Sequence, residues 1–214
     1  MMKRSLKLRM GIILLCIFLI FTVLVMCVDV QNVNHGTDIG FATFNVMFHR
    51  LIGYNKFMYC ITDCLSIIPI FVCIFFALLG CYQLWERKDL CKVDLDLILL
   101  GVYYGSVIFL YLFFESFPIN YRPVLINGVL EASYPSSTTL LVLTVMLSCY
   151  KQVDRRVHHR RIQKGMKVII GIFMIFMVVG RIISGVHWIS DIIGSGVFSV
   201  GLFLFYAAVI ENKE

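Results

Sequence analysis

Late in the chain the residues run Gly180, Arg181, Ile182, Ile183, Ser184, Gly185, Val186, His187, Trp188, Ile189, Ser190, Asp191, and three of them can do chemistry together. His187 and Asp191 are four apart, so on a helix they share one face. A carboxylate so placed accepts the imidazole Nδ1–H and leaves Nε2 free as a nucleophile or base. Arg181 adds a planar fork that matches phosphate oxygens. Ionisable residues at the end of a membrane segment point to function by default.

The elements that must position them are membrane helices. The chain has 214 residues, 60% hydrophobic and only 15% charged, far too apolar for an ordinary soluble domain. Apolar runs long enough to cross a bilayer predict six spans, at roughly 11–28, 57–84, 94–114, 135–152, 166–184 and 188–210. The expectation is an all-α chain, a six-helix transmembrane bundle forming a single domain over 1–214. The first run follows Lys3, Arg4, Lys7 and Arg9, and no small-residue cleavage site follows Val28, so it reads as an uncleaved helix.

Charge sets the orientation. With the N-terminus inside, all of the 19 Lys and Arg lie at or near cytoplasmic pieces except Arg50, Lys56, Arg122 and Arg181. The net charge of +6 therefore follows from the positive-inside rule and implies no nucleic-acid partner. Both termini are expected in the cytoplasm and His187 at the outer face of a plasma membrane.

Other features read as structural. Phe41, Phe44, Phe48, Leu51 and Ile52 recur at helical spacing and predict an amphipathic helix, lying in the outer interface or packed on the bundle. His35 and His49 read as solvated surface residues. The basic stretch Lys151–Lys164 reads as a topology-setting loop, with contact to anionic lipid as the functional alternative. Ser190 and Gly194 form a small-xxx-small pair that would allow close helix approach. The eight cysteines lack metal-ligand spacing and read as apolar packing; no metal or cofactor is implied.

Two polar islands share the predicted side with His187: Glu115 to Pro123, which contains Tyr121 and Arg122, and Tyr134 to Thr139, which opens the fourth span. A 20-residue loop from Glu115 to Tyr134 joins them. Together they make a phosphate site. Arg122 and Arg181 can clamp non-bridging oxygens. Pro135, Ser136, Ser137 and Thr138 offer hydroxyls, free backbone N–H groups and the positive end of a helix dipole. A transporter would instead concentrate polar groups near the bilayer midplane, whereas here even Asp63 lies in the outer part of its span.

These residues resemble the motifs of the type-2 phosphatidic acid phosphatases, the lipid phosphate phosphatases whose core is shared with bacterial acid phosphatases and vanadium haloperoxidases. The family pattern is Lys-x6-Arg-Pro, then Pro-Ser-Gly-His, then Ser-Arg-x5-His-x3-Asp. Arg181, His187 and Asp191 match the third motif, with Gly180 where Ser is usual. Arg122 and Pro123 match the first, and Pro135 and Ser136 the second. The resemblance covers about 29–210. It implies that His187 forms a phosphohistidine, that Asp191 supports it, and that Arg122, Arg181, Ser136 and Ser137 contact phosphate. It also implies a lipid phosphate or diphosphate as substrate.

Two positions depart from the pattern: Glu115 stands at the family lysine, and Thr138 at the histidine that serves as general acid. A positioned acid is worth about 10²–10⁴-fold, so its loss has three readings. A lipid diphosphate of the polyprenyl kind releases a phosphate monoester, with a second pKa of about 6, and needs little protonation. Otherwise Glu115, Tyr121 or Tyr134 donates the proton. In the third reading the chain is a phosphotransferase on lipid acceptors or a catalytically silent binder of lipid phosphates.

Overall fold

The computed structural model describes residues 2–33 and 36–211; His35 and the C-terminal residues 212–214 lie outside the described residues. Eight α-helices are present among them: α1 (Met2–Cys27), α2 (Ala42–Ile52), α3 (Lys56–Leu65), α4 (Ile67–Arg87), α5 (Leu95–Ser116), α6 (Ser137–Arg156), α7 (Arg160–Ser184) and α8 (Ile189–Ile210). A small antiparallel hairpin, β1 (Gln31–Val33) with β2 (Thr37–Ile39), follows α1 and pairs Gln31 with Ile39. It is the one sheet among the described residues, an addition to the all-α expectation.

Five segments are long and apolar enough to cross a membrane: α1 from Arg4, α3 with α4 as Lys56–Arg87, α5, α7 and α8. Large apolar side chains such as Leu19, Phe109, Ile169 and Ile175 point away from the protein, as they do where lipid is the solvent. The protein is a multi-pass membrane protein. The run expected at 135–152 does form a helix, α6, but it falls short of the apolar content of a span. Its position explains why: α6 packs against α4, α5, α7 and α8, so its polar side chains meet protein. Thr144 bonds back to the Leu140 carbonyl, the Ser148 and Tyr104 hydroxyls are 2.9 Å apart, and Gln152 donates to the Tyr206 hydroxyl.

The run expected over 57–84 is one candidate span, Lys56–Arg87, interrupted at Ser66, whose hydroxyl bonds to the Asp63 carbonyl. The first part, α3, packs against α7, where a Cβ on Gly180 would lie 2.7 Å from Thr62 Cγ2. Close helix approach is made elsewhere than Ser190 and Gly194. It occurs between α1 and α8, where a Cβ on Gly11 would lie 2.8 Å from the Phe205 nitrogen. Gly194 instead seats the Tyr134 ring. The cysteines also differ from expectation: Cys16, Cys27, Cys60, Cys64, Cys81 and Cys91 are exposed on the bundle surface rather than packed within it.

The amphipathic helix is α2. Its Phe44, Met47 and Leu51 are exposed while Ala42 and Asn45 are buried, so the apolar face turns away from the bundle. His49 is half-buried against the Trp188 ring, 5.5 Å between centroids, and not fully solvated. At the end of the bundle remote from Asp191, much of the basic stretch is neutralised internally. Arg155 and Arg156 share the buried carboxylate of Asp96, at 3.3 and 2.9 Å, and Lys151 pairs with Glu211 at 2.7 Å. His158, His159, Arg160, Arg161 and Lys164 remain exposed.

Candidate active site

The segment between α5 and α6 was expected as a plain loop and instead folds back on itself. Asn127 and Gly128 both have positive φ, and Ile126 and Val129 exchange backbone hydrogen bonds across them. That is the turn an Asn-Gly pair favours. Below it Tyr121 pairs with Ala132, the Arg122 N–H donates to the Glu131 carbonyl, and the Ser133 N–H donates to the Asn120 carbonyl. This ladder delivers Arg122 and Ser133 to the bundle.

The third island is built by a sharp corner. Gly185 takes φ +63, and a Cβ there would lie 1.9 Å from the Gly53 carbonyl oxygen, so the chain turns from α7 into α8 only with glycine. Asp191 sits in the first turn of α8, where its Oδ2 accepts from the Trp188 N–H at 3.0 Å, capping the helix. Asn120 and Ser190 donate to its Oδ1, at 3.3 and 3.2 Å. Asn45 ties α2 to the same point through Ser190, and Trp188 Nε1 donates to the Tyr121 carbonyl.

His187 is buried, and its Nε2 has no partner among the described residues. Its Nδ1 faces Ser133 and not Asp191. The Ser133 carbonyl and hydroxyl oxygens are each 3.1 Å away, while Asp191 Oδ2 is 4.0 Å away. The direct histidine–carboxylate bond expected from spacing is therefore replaced: i,i+4 neighbours share a face, but Asp191 is drawn to the Trp188 N–H and to the Ser133 hydroxyl, 2.5 Å from its Oδ2. Burial, then the charges of Arg122 and Arg181, hold His187 well below the ordinary histidine range. The imidazole is neutral at neutral pH.

Arg181 is buried under α3. Its Nη1 donates to the Thr62 hydroxyl at 3.2 Å, its guanidinium lies 5.2 Å from the Tyr59 ring centre, and its Nε has no partner among the described residues. A buried guanidinium with one unmade bond is a cation waiting for an anion. Arg122 forms an ion pair with Glu131, at 3.0 Å. A pocket of about 70 Å³ is lined by Arg122, Glu115, Glu131 and Ser137, and His187 is not part of its lining.

The second island is only partly open. Ser137 lines that pocket, but the Ser136 hydroxyl pairs with Thr139 at 3.0 Å and the Ser136 N–H donates to the Asp191 carbonyl. Ser136 is fully buried and straps α6 to α8; the phosphate contact expected of it is taken up by its own neighbours. Thr138 is buried in the first turn of α6. Of the candidate acids, Tyr134 lines that pocket, but its hydroxyl is paired with that of Thr22 in α1, 2.8 Å away. Tyr121 is held by its backbone, and Glu115 faces the Arg122 pocket. Sequence reading missed Ser133, Asn120, Asn45, Glu131, Tyr59 and Thr62. Asn127-Gly128 was the available signal for the fold-back that brings in Ser133 and Glu131.

No family model matches the sequence, and no curated protein matches it. Among solved structures the chain is similar to a transmembrane PAP2-type phosphatidylglycerolphosphate phosphatase from Bacillus subtilis, with TM-score 0.64 and 17% identity over 95% of this chain and 96% of that one. The chain thus has a PAP2-type transmembrane phosphatase fold.

Proposed function

We propose that the protein is a membrane-embedded lipid phosphatase that works through a phosphohistidine on His187, at the extracytoplasmic face of a plasma membrane. One observation carries this reading: a buried, neutral histidine with a bare Nε2, under the charges of two arginines, one of them buried with an unpaired N–H. Such a site suits a nucleophile and the clamp for a dianion. The fold is that of a phosphatase acting on a lipid phosphate, and the 20-residue loop from Glu115 to Tyr134 is drawn together by the ladder that ends at Ser133.

In the first step the Nε2 lone pair bonds to phosphorus. The bond from phosphorus to the leaving oxygen breaks with its electron pair on that oxygen, and Nδ1 keeps its proton, so the imidazole carries the positive charge. Arg122 and Arg181 hold the non-bridging oxygens. In the second step water bonds to phosphorus, the P–N pair returns to Nε2, and the water proton leaves with the phosphate or to solvent. An acceptor hydroxyl in place of that water would make the chain a phosphotransferase.

The substrate favoured is a lipid diphosphate. With Thr138 in place of an acid histidine, a phosphate monoester leaves far more readily than an alkoxide, whose conjugate acid has a pKa near that of water, about 15.7. Phosphate release by detergent-purified protein from matched lipid monophosphate and diphosphate, with His187→Ala alongside, tests this. Release from the diphosphate that is lost in the variant is expected. Preference for the monophosphate would overturn the substrate, and full activity in His187→Ala would overturn the mechanism.

A further inference from the structure

The residue nearest the histidine's inner nitrogen is a serine that belongs to none of the three motifs. Ser133 is 1% exposed and pinned by its own N–H on the Asn120 carbonyl, 2.8 Å away. Asn120 is in turn fixed by the Gly40 N–H at 3.0 Å. Both Ser133 oxygens face His187 Nδ1 at 3.1 Å, and the same hydroxyl lies 2.5 Å from Asp191 Oδ2.

Counting protons decides the roles. An ionised carboxylate only accepts. The single hydroxyl proton of Ser133 therefore goes to Asp191, and the hydroxyl turns a lone pair toward Nδ1. The carbonyl also only accepts. Two acceptors facing one ring nitrogen require that nitrogen to carry the proton, which leaves Nε2 bare. Asp191 has no closer path to the ring. It stands 4.0 Å from Nδ1, outside hydrogen-bond range, and its two oxygens already accept from Ser133, Trp188, Asn120 and Ser190.

We propose that Ser133 is the positioning residue of this site: it fixes the His187 tautomer and carries the influence of Asp191 to the imidazole. Asp191 is then the hub that holds Ser133, Asn120 and the start of α8, and it acts on the histidine through the serine. The proposal rests on the phosphohistidine reading. When Nε2 gains its bond to phosphorus, the positive charge on the ring strengthens the Nδ1–H bond to both Ser133 oxygens.

The test compares Ser133→Ala, Ser133→Thr, Asp191→Asn and the Ser133→Ala/Asp191→Asn double variant, purified in detergent. Phosphate release from a lipid diphosphate and the Nδ1–H proton resonance of His187 are both read. Ser133→Ala keeps the carbonyl acceptor at Nδ1 and severs the hydroxyl link to Asp191, a hydrogen bond to a charged group, so kcat should fall about 10- to 100-fold with little change in KM. Ser133→Thr, which keeps the hydroxyl, should recover most of it. Asp191→Asn should cost less in the Ser133→Ala background than in the wild-type protein, by more than the roughly twofold scatter within which independent sites multiply. The Nδ1–H resonance should move upfield in Ser133→Ala and return in Ser133→Thr. Independent, multiplying losses, or a normal Ser133→Ala, would overturn the relay. If Asp191→Asn does not fold, the two serine variants decide alone. If the wild-type protein releases no phosphate from either lipid, the phosphatase reading fails by itself, and the resonance still decides what Ser133 does.

Discussion

Replacing Arg181 by lysine isolates the fork from the charge. Arg181 is 1% exposed, its Nη1 is committed to Thr62, its guanidinium lies over Tyr59, and its Nε is unpaired among the described residues. A phosphate arriving there gains charge-assisted bonds from the donors that Thr62 does not use. Lysine keeps the charge but ends in one ammonium, which cannot bond Thr62 and also present two parallel donors to phosphate. At least one charge-assisted bond is lost, about 1.5–3 kcal/mol. At 1.36 kcal/mol per decade that is roughly 10- to 150-fold in kcat/KM. The assay is steady-state phosphate release in detergent micelles, with size exclusion and a thermal midpoint to establish that the fold is kept. Thr62→Val, which removes only the anchor, should cost less, about 2- to 10-fold, because a neutral hydroxyl contributes about 0.5–1.5 kcal/mol. Arg181→Lys retaining kcat/KM within about threefold would refute the assignment of Arg181 as a phosphate clamp.

Three further outcomes follow from the same geometry. His187 is held below the ordinary histidine value by burial and by Arg122 and Arg181, so the unfolded chain takes up a proton first as pH falls. The stability that neutral His187 allows is present above about pH 6.5 and is lost below it, by at most about 1.4 kcal/mol per pH unit; His187→Asn should flatten the fall in thermal midpoint between about pH 7 and 5, and an unchanged slope would refute it. Glu131 holds Arg122 at 3.0 Å and is 39% exposed, so it competes weakly with a substrate phosphate. Glu131→Gln should lower KM by up to about fivefold at constant kcat, the scale of an exposed ion pair, and a raised KM would mean that Glu131 instead orients the arginine. Thr138→His restores an acid histidine at the start of α6 and should raise monophosphate turnover more than diphosphate turnover, by up to about 10²-fold; equal gains on both lipids would sink the leaving-group explanation.

Much of the frame is legible because lipid imposes a simple rule on sequence: a lipid-facing helix must be apolar throughout. The segments α1, α5, α7 and α8 read directly as spans for that reason. The same rule hides α6, whose partners are other helices; Thr144, Ser148 and Gln152 lower its hydropathy without exposing a polar group to lipid. It also hides the break at Ser66, since the runs on both sides are apolar. There α3 is seated on α7 by a tertiary contact, Thr62 against Gly180, that no local pattern announces. Gly180 and the wall made by α3 are thus one feature: a side chain at 180 would push α3 away from Arg181.

The site divides along the same line. Arg181, His187 and Asp191 lie within eleven residues of chain, so their spacing alone carried them. Ser133 and Asn120 are separated from Asp191 by more than 50 residues, and a lone serine or asparagine in a loop has no signature. What brings them in is the Asn127-Gly128 turn, a signal of backbone geometry rather than chemistry. Spacing could place His187 and Asp191 on one face, but it could not count the competing donors. Trp188, Asn120, Ser190 and Ser133 all reach the carboxylate first. Four donors on two oxygens leave the imidazole to the serine, and the partner of a buried histidine is settled by that competition rather than by proximity in sequence.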